Sequence, residues 1–359
     1  MPDDGADEEQ DKVLIASVND VRYLIALLRG VGFANRAVMS VAENGLSVAV
    51  EESRTLLATA YIFKGLFNEF NYHPELPQDA GDHDEQEQEV PNISFEIQLQ
   101  TLIECMNIFG TAGGSAIPSG NKYRRWHQDA NSDNENDRGE GASNRSNNRS
   151  NKTPANGRID QYFGHEKGTG MRLTYAGSGF PLTLLIAEDS NGPTATCEIT
   201  TFEADPMLSL DFLEYPTVMK IILKSSWLRD ALSEIDQSCE KLTIICNPPP
   251  PAGRSAKIVA PPRLRLQAVG NFGSVEMDYP SDKEVLESCE CDEQVSFSYR
   301  FSHISRTQRA LQSSTKTSLR INEEGLLSLQ LLMPTPRTRE SGSSDGFIEF
   351  RCLPLDEEI

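Results

Sequence analysis

Once its polar breaks are set aside, the chain passes twice through one cycle of elements: strand, helix, a meander of strands, helix and a closing meander. A duplicated cycle narrows the fold sharply, because each copy must bury the same apolar faces in the same order. In the first copy residues 12–17 read as a strand. The run VNDVRYLIALLRG then sets Val21, Leu24, Ile25 and Leu28 on one helical face, with Asp20 placed to start the helix and Gly30 to end it. A strand over 34–41 meets a tight turn at Glu43, Asn44 and Gly45, Leu46, Val48 and Val50 alternate in the return, and residues 55–62 form another strand. ISFEIQL is a strand, and QTLIECMNIFG is a helix with Leu102, Ile103, Met106 and Phe109 on its apolar side. MRLTYAG, PLTLLIAE and TATCEITTF close the copy, parted by the turn signals GSG and DSNG.

The second copy opens with the strand PTVMKIIL and the helix SSWLRDALSEI, capped by Ser225 or Ser226 with Leu228, Ala231, Leu232 and Ile235 inward. KLTIICN, RLRLQAVG and GSVEMDYP follow as strands, and Asn271 to Gly273 take the position of Asn44 and Gly45 in the first copy. QVSFSYRF is a strand, HISRTQRALQS a helix, and TSLRI, LLSLQLLM and GFIEFRC close the sheet. The fold class is therefore α+β, in two similar domains that each combine a β-meander sheet with two helices.

Boundaries follow from composition. Residues 1–11 form an acidic tail, 12–202 the first domain, 203–215 a connector, 216–353 the second domain and 354–359 a second acidic tail. The first domain carries an acidic loop at 75–91 and an Asn-, Ser- and Gly-rich stretch at 111–157 that reads as a disordered insertion. With 359 residues and 38% apolar content, two such domains can each bury a core. The net charge of -21 argues at first against nucleic acid, yet residues 1–11, 75–89 and 356–359 alone hold 16 of those charges, so the folded surface is close to neutral. An acidic N-terminus and the lack of a long apolar run lead us to expect a soluble, non-secreted protein. Seven scattered cysteines suit a reducing compartment without structural disulfides. The close pair Cys289 and Cys291 has no second pair or histidine at zinc spacing, so it reads as two edge thiols rather than a metal site.

The doubled meander resembles the sliding-clamp fold and is particularly similar to the Rad-one subunit family of the heterotrimeric checkpoint clamp, the nine-one-one ring. The segments LIECMNIFG (102–110), MRLTYAGSGFPLTLLIAE (171–188), VMKIILKSSWLRDALSEID (218–236), VGNFGSVEMDYP (269–280) and GLLSLQLLM (325–333) carry the resemblance, in order and over most of the ordered chain. The long insertion after Gly110, the proline run 248–251 and the acidic tail depart from it.

That resemblance implies one third of a toroidal ring and a nuclear, non-catalytic subunit with no cofactor. Its partners would be two other clamp subunits in a 1:1:1 ring, an ATP-dependent loader, repair and checkpoint proteins, and double-stranded DNA held without sequence preference. In such a ring the helices line the channel. Arg22, Arg29, Lys224, Arg229, Arg306, Arg309 and Lys316 are the candidate phosphate contacts, against the alternative of ordinary solvated helix faces. Edge strands would pair between subunits. By position these are residues 193–201, with Thr194, Thr196, Cys197, Glu198, Ile199 and Thr200, and 273–279, with Ser274, Val275, Glu276 and Met277, unless both are interior strands. Met207, Leu210, Phe212 and Leu213 in the connector would receive partner peptides, or else pin the connector to the sheet. Asn156, Ile159, Tyr162 and Phe163 follow the spacing of a clamp-interacting peptide, with asparagine in place of the usual glutamine; the alternative is an apolar lead-in to the strand at Met171.

Two rival classes remain, a metal-dependent 3'-5' DNA exonuclease and a DNA-free interaction scaffold. Hydrolysis by two metals needs converging carboxylates, whereas Glu96, Glu276 and Asp278 stand singly on strands without an Asp-x-Glu signature. Neither a phosphate-binding G-x-x-x-x-G-K-[ST] loop nor a G-x-S-x-G elbow is present.

Overall fold

Two halves of matching order follow from the two copies. The computed structural model of the chain describes residues 12–74, 92–110, 168–188, 192–249, 261–335 and 345–356. The first half runs β1 (Leu14–Val18), α1 (Arg22–Val31), β2 (Arg36–Ala42), β3 (Gly45–Glu52), β4 (Leu56–Phe63), β5 (Glu69–Tyr72), β6 (Ile93–Gln98), α2 (Leu99–Met106), β7 (Gly170–Tyr175), β8 (Leu182–Ala187) and β9 (Thr194–Ile199). The short β10 (Phe202–Glu203) begins the connector. The second half runs β11 (Thr217–Lys224), α3 (Ser225–Glu234), β12 (Cys239–Cys246), β13 (Leu264–Gly270), β14 (Gly273–Tyr279), β15 (Leu286–Cys291), β16 (Val295–Arg300), α4 (Phe301–Ser305), α5 (Gln308–Ser313), β17 (Lys316–Asn322), β18 (Leu327–Met333) and β19 (Gly346–Cys352).

All pairings among these strands are antiparallel. A five-stranded sheet has the order β5-β1-β7-β8-β9, a four-stranded sheet the order β14-β13-β12-β16, and a ten-stranded sheet the order β10-β6-β2-β3-β4-β19-β18-β17-β11-β15. The duplication is visible in these orders. The five-stranded set of the first half matches β15-β11-β17-β18-β19 of the second, and β6-β2-β3-β4 matches β16-β12-β13-β14. The ten-stranded sheet therefore arises because β4 of one half pairs with β19 of the other, from Leu56 opposite Cys352 to Tyr61 opposite Phe347. Stacked Tyr61 and Phe347 rings, 4.5 Å apart between centroids, reinforce that joint. Gly45 at the β2–β3 turn and Gly273 at the β13–β14 turn have φ of +145° and +151°, a region closed to most side chains. They are not equivalent as the sequence suggested, because β13–β14 matches β3–β4, whose turn is made by Ser53 and Arg54 at φ +56° and +54°.

The helices touch in the sequence α2, α1, α5, α3 and pack on the ten-stranded sheet over β6, β3 to β19, β18 and β11 respectively, so they share one of its faces. Strand alternation then sends Ile348, Phe350 and Cys352 into the core beneath the helices and Glu349 and Arg351 to the opposite face. Each fully buried Leu or Ile of this core contributes about 1.5–3 kcal/mol relative to exposure.

Several expectations need correction. Gly30 does not end α1, which continues to Val31 and is closed at Gly32. A Cβ at Gly30 would collide with Ile348 Cδ1 and lie 3.3 Å from Ala310 Cβ, so the glycine permits close approach of α5 and β19. The buried arc of α1 is also wider than one stripe, with Tyr23 and Leu27 inside, because the helix has a sheet beneath it and helices on both flanks. The second helix stops at Met106, which leaves Phe109 in the following turn. The single helix expected at 303–313 is two, broken at Arg306 and Thr307. There the Thr307 N–H and hydroxyl both donate to Ile304 O, at 3.0 and 2.7 Å, and tighten the turn. The strands β5, β10 and β15 escaped the periodicity reading because each is short or mostly polar.

Candidate functional site

The helix layer brings three of the seven candidate channel cations together. Arg29 at the end of α1, Arg306 in the break and Arg309 on α5 line an open depression of about 450 Å³ with Phe33, Gln308 and Gln312. Helix packing does this, since α1 and α5 are far apart in sequence and touch only through the fold. Arg306 is held from behind by Glu52 on β3, in a two-pronged pair with both contacts at 2.9 Å. Three further cations also have partners within the chain: Arg22 with Asp20 at 2.8 Å, Arg229 with Asp230 at 2.8 Å and Lys316 with Glu287 at 2.8 Å. Such pairs lower the positive potential of the layer. Lys224 is exposed just before α3, outside the depression, and Arg309 is exposed on its rim. Neither makes an ion pair among the described residues.

Among the described residues both strands expected at sheet edges are terminal in their sheets, β9 pairing only with β8 and β14 only with β13. On β9 Thr194, Thr196 and Glu198 are exposed, Cys197 is half-buried and Ile199 is buried, with Thr200 exposed just beyond. On β14 Ser274, Val275 and Glu276 are exposed and Met277 half-buried. Apolar groups border each edge. Phe272 is 92% exposed at the β13–β14 turn beside Val269, and Leu185 and Phe180 are exposed near β9. Neither strand carries a lysine or arginine.

The connector crosses the face of the ten-stranded sheet opposite the helices. Phe202 and Glu203 pair with β6, Arg54 donates to Pro206 O at 3.2 Å, and the Leu208 N–H donates to Glu51 at 2.8 Å. Leu210 and Phe212 are buried with Leu326, and the Arg320 guanidinium lies 4.7 Å above the Phe212 ring. Arg351 donates to Leu210 O at 2.6 Å. Glu349, 3% exposed, accepts from Arg320, Arg351 and Ser328. Of the four residues proposed to receive partners, Leu210 and Phe212 thus turn inward and pin the connector, Leu213 points outward at 83% exposure, and Met207 is half-buried beside a groove of about 230 Å³. The anchoring group Arg320, Glu349 and Arg351 went unnoticed in the sequence, where its signal was charge at alternate positions of apolar strands.

The isolated carboxylates considered for hydrolysis are engaged by arginines. Glu96 takes Arg36 at 2.6 Å, and Arg265 bridges Asp278 at 2.6 Å and Glu276 at 3.1 Å. Among the described residues no three His, Cys, Asp or Glu side chains are grouped to hold a metal ion, and no helix is long and apolar enough to cross a membrane. Asn156, Ile159, Tyr162 and Phe163 lie outside the described residues, as do the acidic tail 1–11, the loop 75–91 and the insertion 111–157.

Comparison with known proteins places the chain among checkpoint and repair proteins. Human cell cycle checkpoint protein RAD1 is 28% identical over 353 residues, 98% of this chain and 95% of that protein. The DNA damage checkpoint control protein rad1 of Schizosaccharomyces pombe is 28% identical over 336 residues, covering 94% and 84%. The protein of Mycosarcoma maydis named DNA repair exonuclease REC1 is 26% identical over 472 aligned positions, 99% of each chain. Residues 13–333 match the profile of the repair protein Rad1/Rec1/Rad17 family, and the chain belongs to that family of DNA damage checkpoint and repair proteins.

Proposed function

We propose that the chain is a non-catalytic subunit of a heterotrimeric, nuclear checkpoint clamp that encircles duplex DNA at damage sites and recruits signalling and repair factors. The internal joint between β4 and β19 carries this reading. By the duplication, β14 corresponds to β4 and β9 to β19, yet among the described residues these two strands each lack a neighbour on one side. A second chain presenting its β9 to this β14 would repeat the internal joint. Because the two edges differ, repetition is head-to-tail, and three two-domain chains would close a ring of six similar units. Two identical copies would place Glu198 and Glu276 along one seam with Arg265 of β13 as the nearby base already engaged by Glu276, which favours different chains as neighbours.

The helix layer then faces the channel, where Arg29, Arg306 and Arg309 meet the phosphate backbone and leave base edges unread. An ATP-dependent loader would open the ring, since the chain has no nucleotide-binding loop of its own. The name of the Mycosarcoma maydis relative supports exonuclease activity as the second reading.

The deciding measurement is the mass of the full chain, alone and mixed with the two candidate ring subunits, by light scattering after size exclusion. A monomer that enters a 1:1:1 trimer, and loses this on Val275→Asp, supports the clamp. A stable homo-oligomer, or a monomer indifferent to both subunits, overturns it and makes a metal-dependent cleavage assay the next step.

A further inference from the structure

Three thiols of the second half converge from two sheets. Cys246 closes β12 of the four-stranded sheet, while Cys289 and Cys291 lie on β15, one of the two terminal strands of the ten-stranded sheet. The Cys246 and Cys289 sulfurs are 3.7 Å apart, and the Cys291 thiol donates to Glu293 O at 2.7 Å. Beside them lies Arg263, only 7% exposed, whose guanidinium donates to Asn247 O at 2.7 Å and Cys289 O at 2.9 Å. Among the described residues no carboxylate forms an ion pair with this buried cation. A buried guanidinium without an anion is costly, and a thiolate at Cys289, whose backbone oxygen Arg263 already engages, would supply one.

The two facing sulfurs differ in kind. Hydrogen bonding from the Cys246 thiol, and then the charge and hydrogen bond of Arg263, hold Cys289 below the ordinary thiol range although burial opposes them. Sharing its proton with Cys289, and burial after that, push Cys246 up. With buried Arg263 on the Cys289 side, this asymmetry suits Cys289 as the nucleophile and Cys246 as the proton source.

We propose that Cys289 and Cys246 form a peroxide-sensitive dithiol, with Cys289 as the attacking sulfur and Cys246 as its resolving partner. The Cys289 thiolate attacks the terminal oxygen of a hydroperoxide. The O–O bond breaks, the departing oxyanion takes a proton from water, and Cys289 becomes a sulfenic acid. The Cys246 sulfur then attacks the Cys289 sulfur, the S–O bond breaks, and the hydroxyl leaves as water with the Cys246 proton. Overall two thiols are oxidised to one disulfide, and hydrogen peroxide is reduced to two waters. The sulfurs need to close from 3.7 Å to about 2 Å, a side-chain movement. The bond would staple β12 of one sheet to the edge strand of another, independently of any subunit neighbour.

The test uses the full chain, reduced, freed of reductant, treated with hydrogen peroxide, alkylated with iodoacetamide and digested without reduction. The expected product joins the Cys246 and Cys289 peptides in one species two hydrogens lighter than their sum, released by dithiothreitol. Cys291→Ser keeps this species. Cys246→Ser loses it and leaves Cys289 open to trapping by dimedone as the sulfenic acid. The proposal is overturned if Cys289 stays fully alkylatable after peroxide, if it oxidises further without joining Cys246, or if it joins Cys291 instead.

Discussion

Phe212→Ala tests whether the connector is fastened by one ring. The side chain is 1% exposed and sits with Leu210 and Leu326 under the Arg320 guanidinium. Removing a buried phenyl ring costs about 3–5 kcal/mol when the surroundings cannot collapse, and the lost cation–π contact adds about 0.5–1 kcal/mol. Collapse is restricted here because Arg351 holds Leu210 O and Glu51 holds the Leu208 N–H, so the connector cannot simply settle into the gap. A loss of about 4 kcal/mol follows, against a total of roughly 5–15 kcal/mol for a domain. Phe212→Leu keeps most of the volume and drops the ring, and should cost about 1–2 kcal/mol. Urea unfolding of the full chain measures the global part, and native-state hydrogen exchange at residues 208–213 measures local opening. A shift of 4 kcal/mol in that opening is roughly a thousandfold loss of protection. If Phe212→Ala changes both by less than about 1 kcal/mol, the ring is not the anchor and the connector is held by its polar contacts.

Burial is the main reason the His303 pKa is lowered below 6.5, helped by Arg300 and Arg306 and opposed by Glu52. The unfolded chain then binds the extra proton first, so this residue's contribution is complete above the unfolded pKa and is lost as pH falls toward the folded one. The urea midpoint should drop between pH 7.5 and 5.5, and less so in His303→Gln; equal slopes would contradict the burial argument. On an assembled ring held on end-blocked duplex, Arg309→Ala should lower the slope of log affinity against log salt by about 0.9, and Arg306→Ala by less, because Glu52 already engages that guanidinium. An unchanged slope for Arg309→Ala would refute the proposed phosphate contact of this residue.

Local pattern carried much of the architecture. Helical spacing at Val21, Leu24, Ile25 and Leu28 and strand alternation around Leu46, Val48 and Val50 report the side on which a core must lie, and both survive in the fold with all these residues buried. Repetition of the cycle is matched in the fold, where the two copies adopt the same strand pairing. The terminal positions of β9 and β14 were implied by the family resemblance and not by the repetition, since their counterparts β19 and β4 are interior strands. Signals vanish where an element is short or polar, as in β5 and β15, or where one hydroxyl diverts a helix, as at Thr307.

What only the tertiary structure decided are the meetings between residues remote in sequence. Arg306 finds Glu52 across 254 positions, and Cys246 meets Cys289 across 43. The joint of β4 with β19 unites one four-stranded and one five-stranded set, with β10 at the end, into a ten-stranded sheet, and Arg320, Glu349 and Arg351 receive Phe212 on its face opposite the helices. A periodicity states which face of an element is apolar, while the identity of the facing element depends on chain-closure and on packing of the whole core. Phe212 reads equally well in sequence as a docking residue or an anchor, and the charged residues of two distant strands make it an anchor.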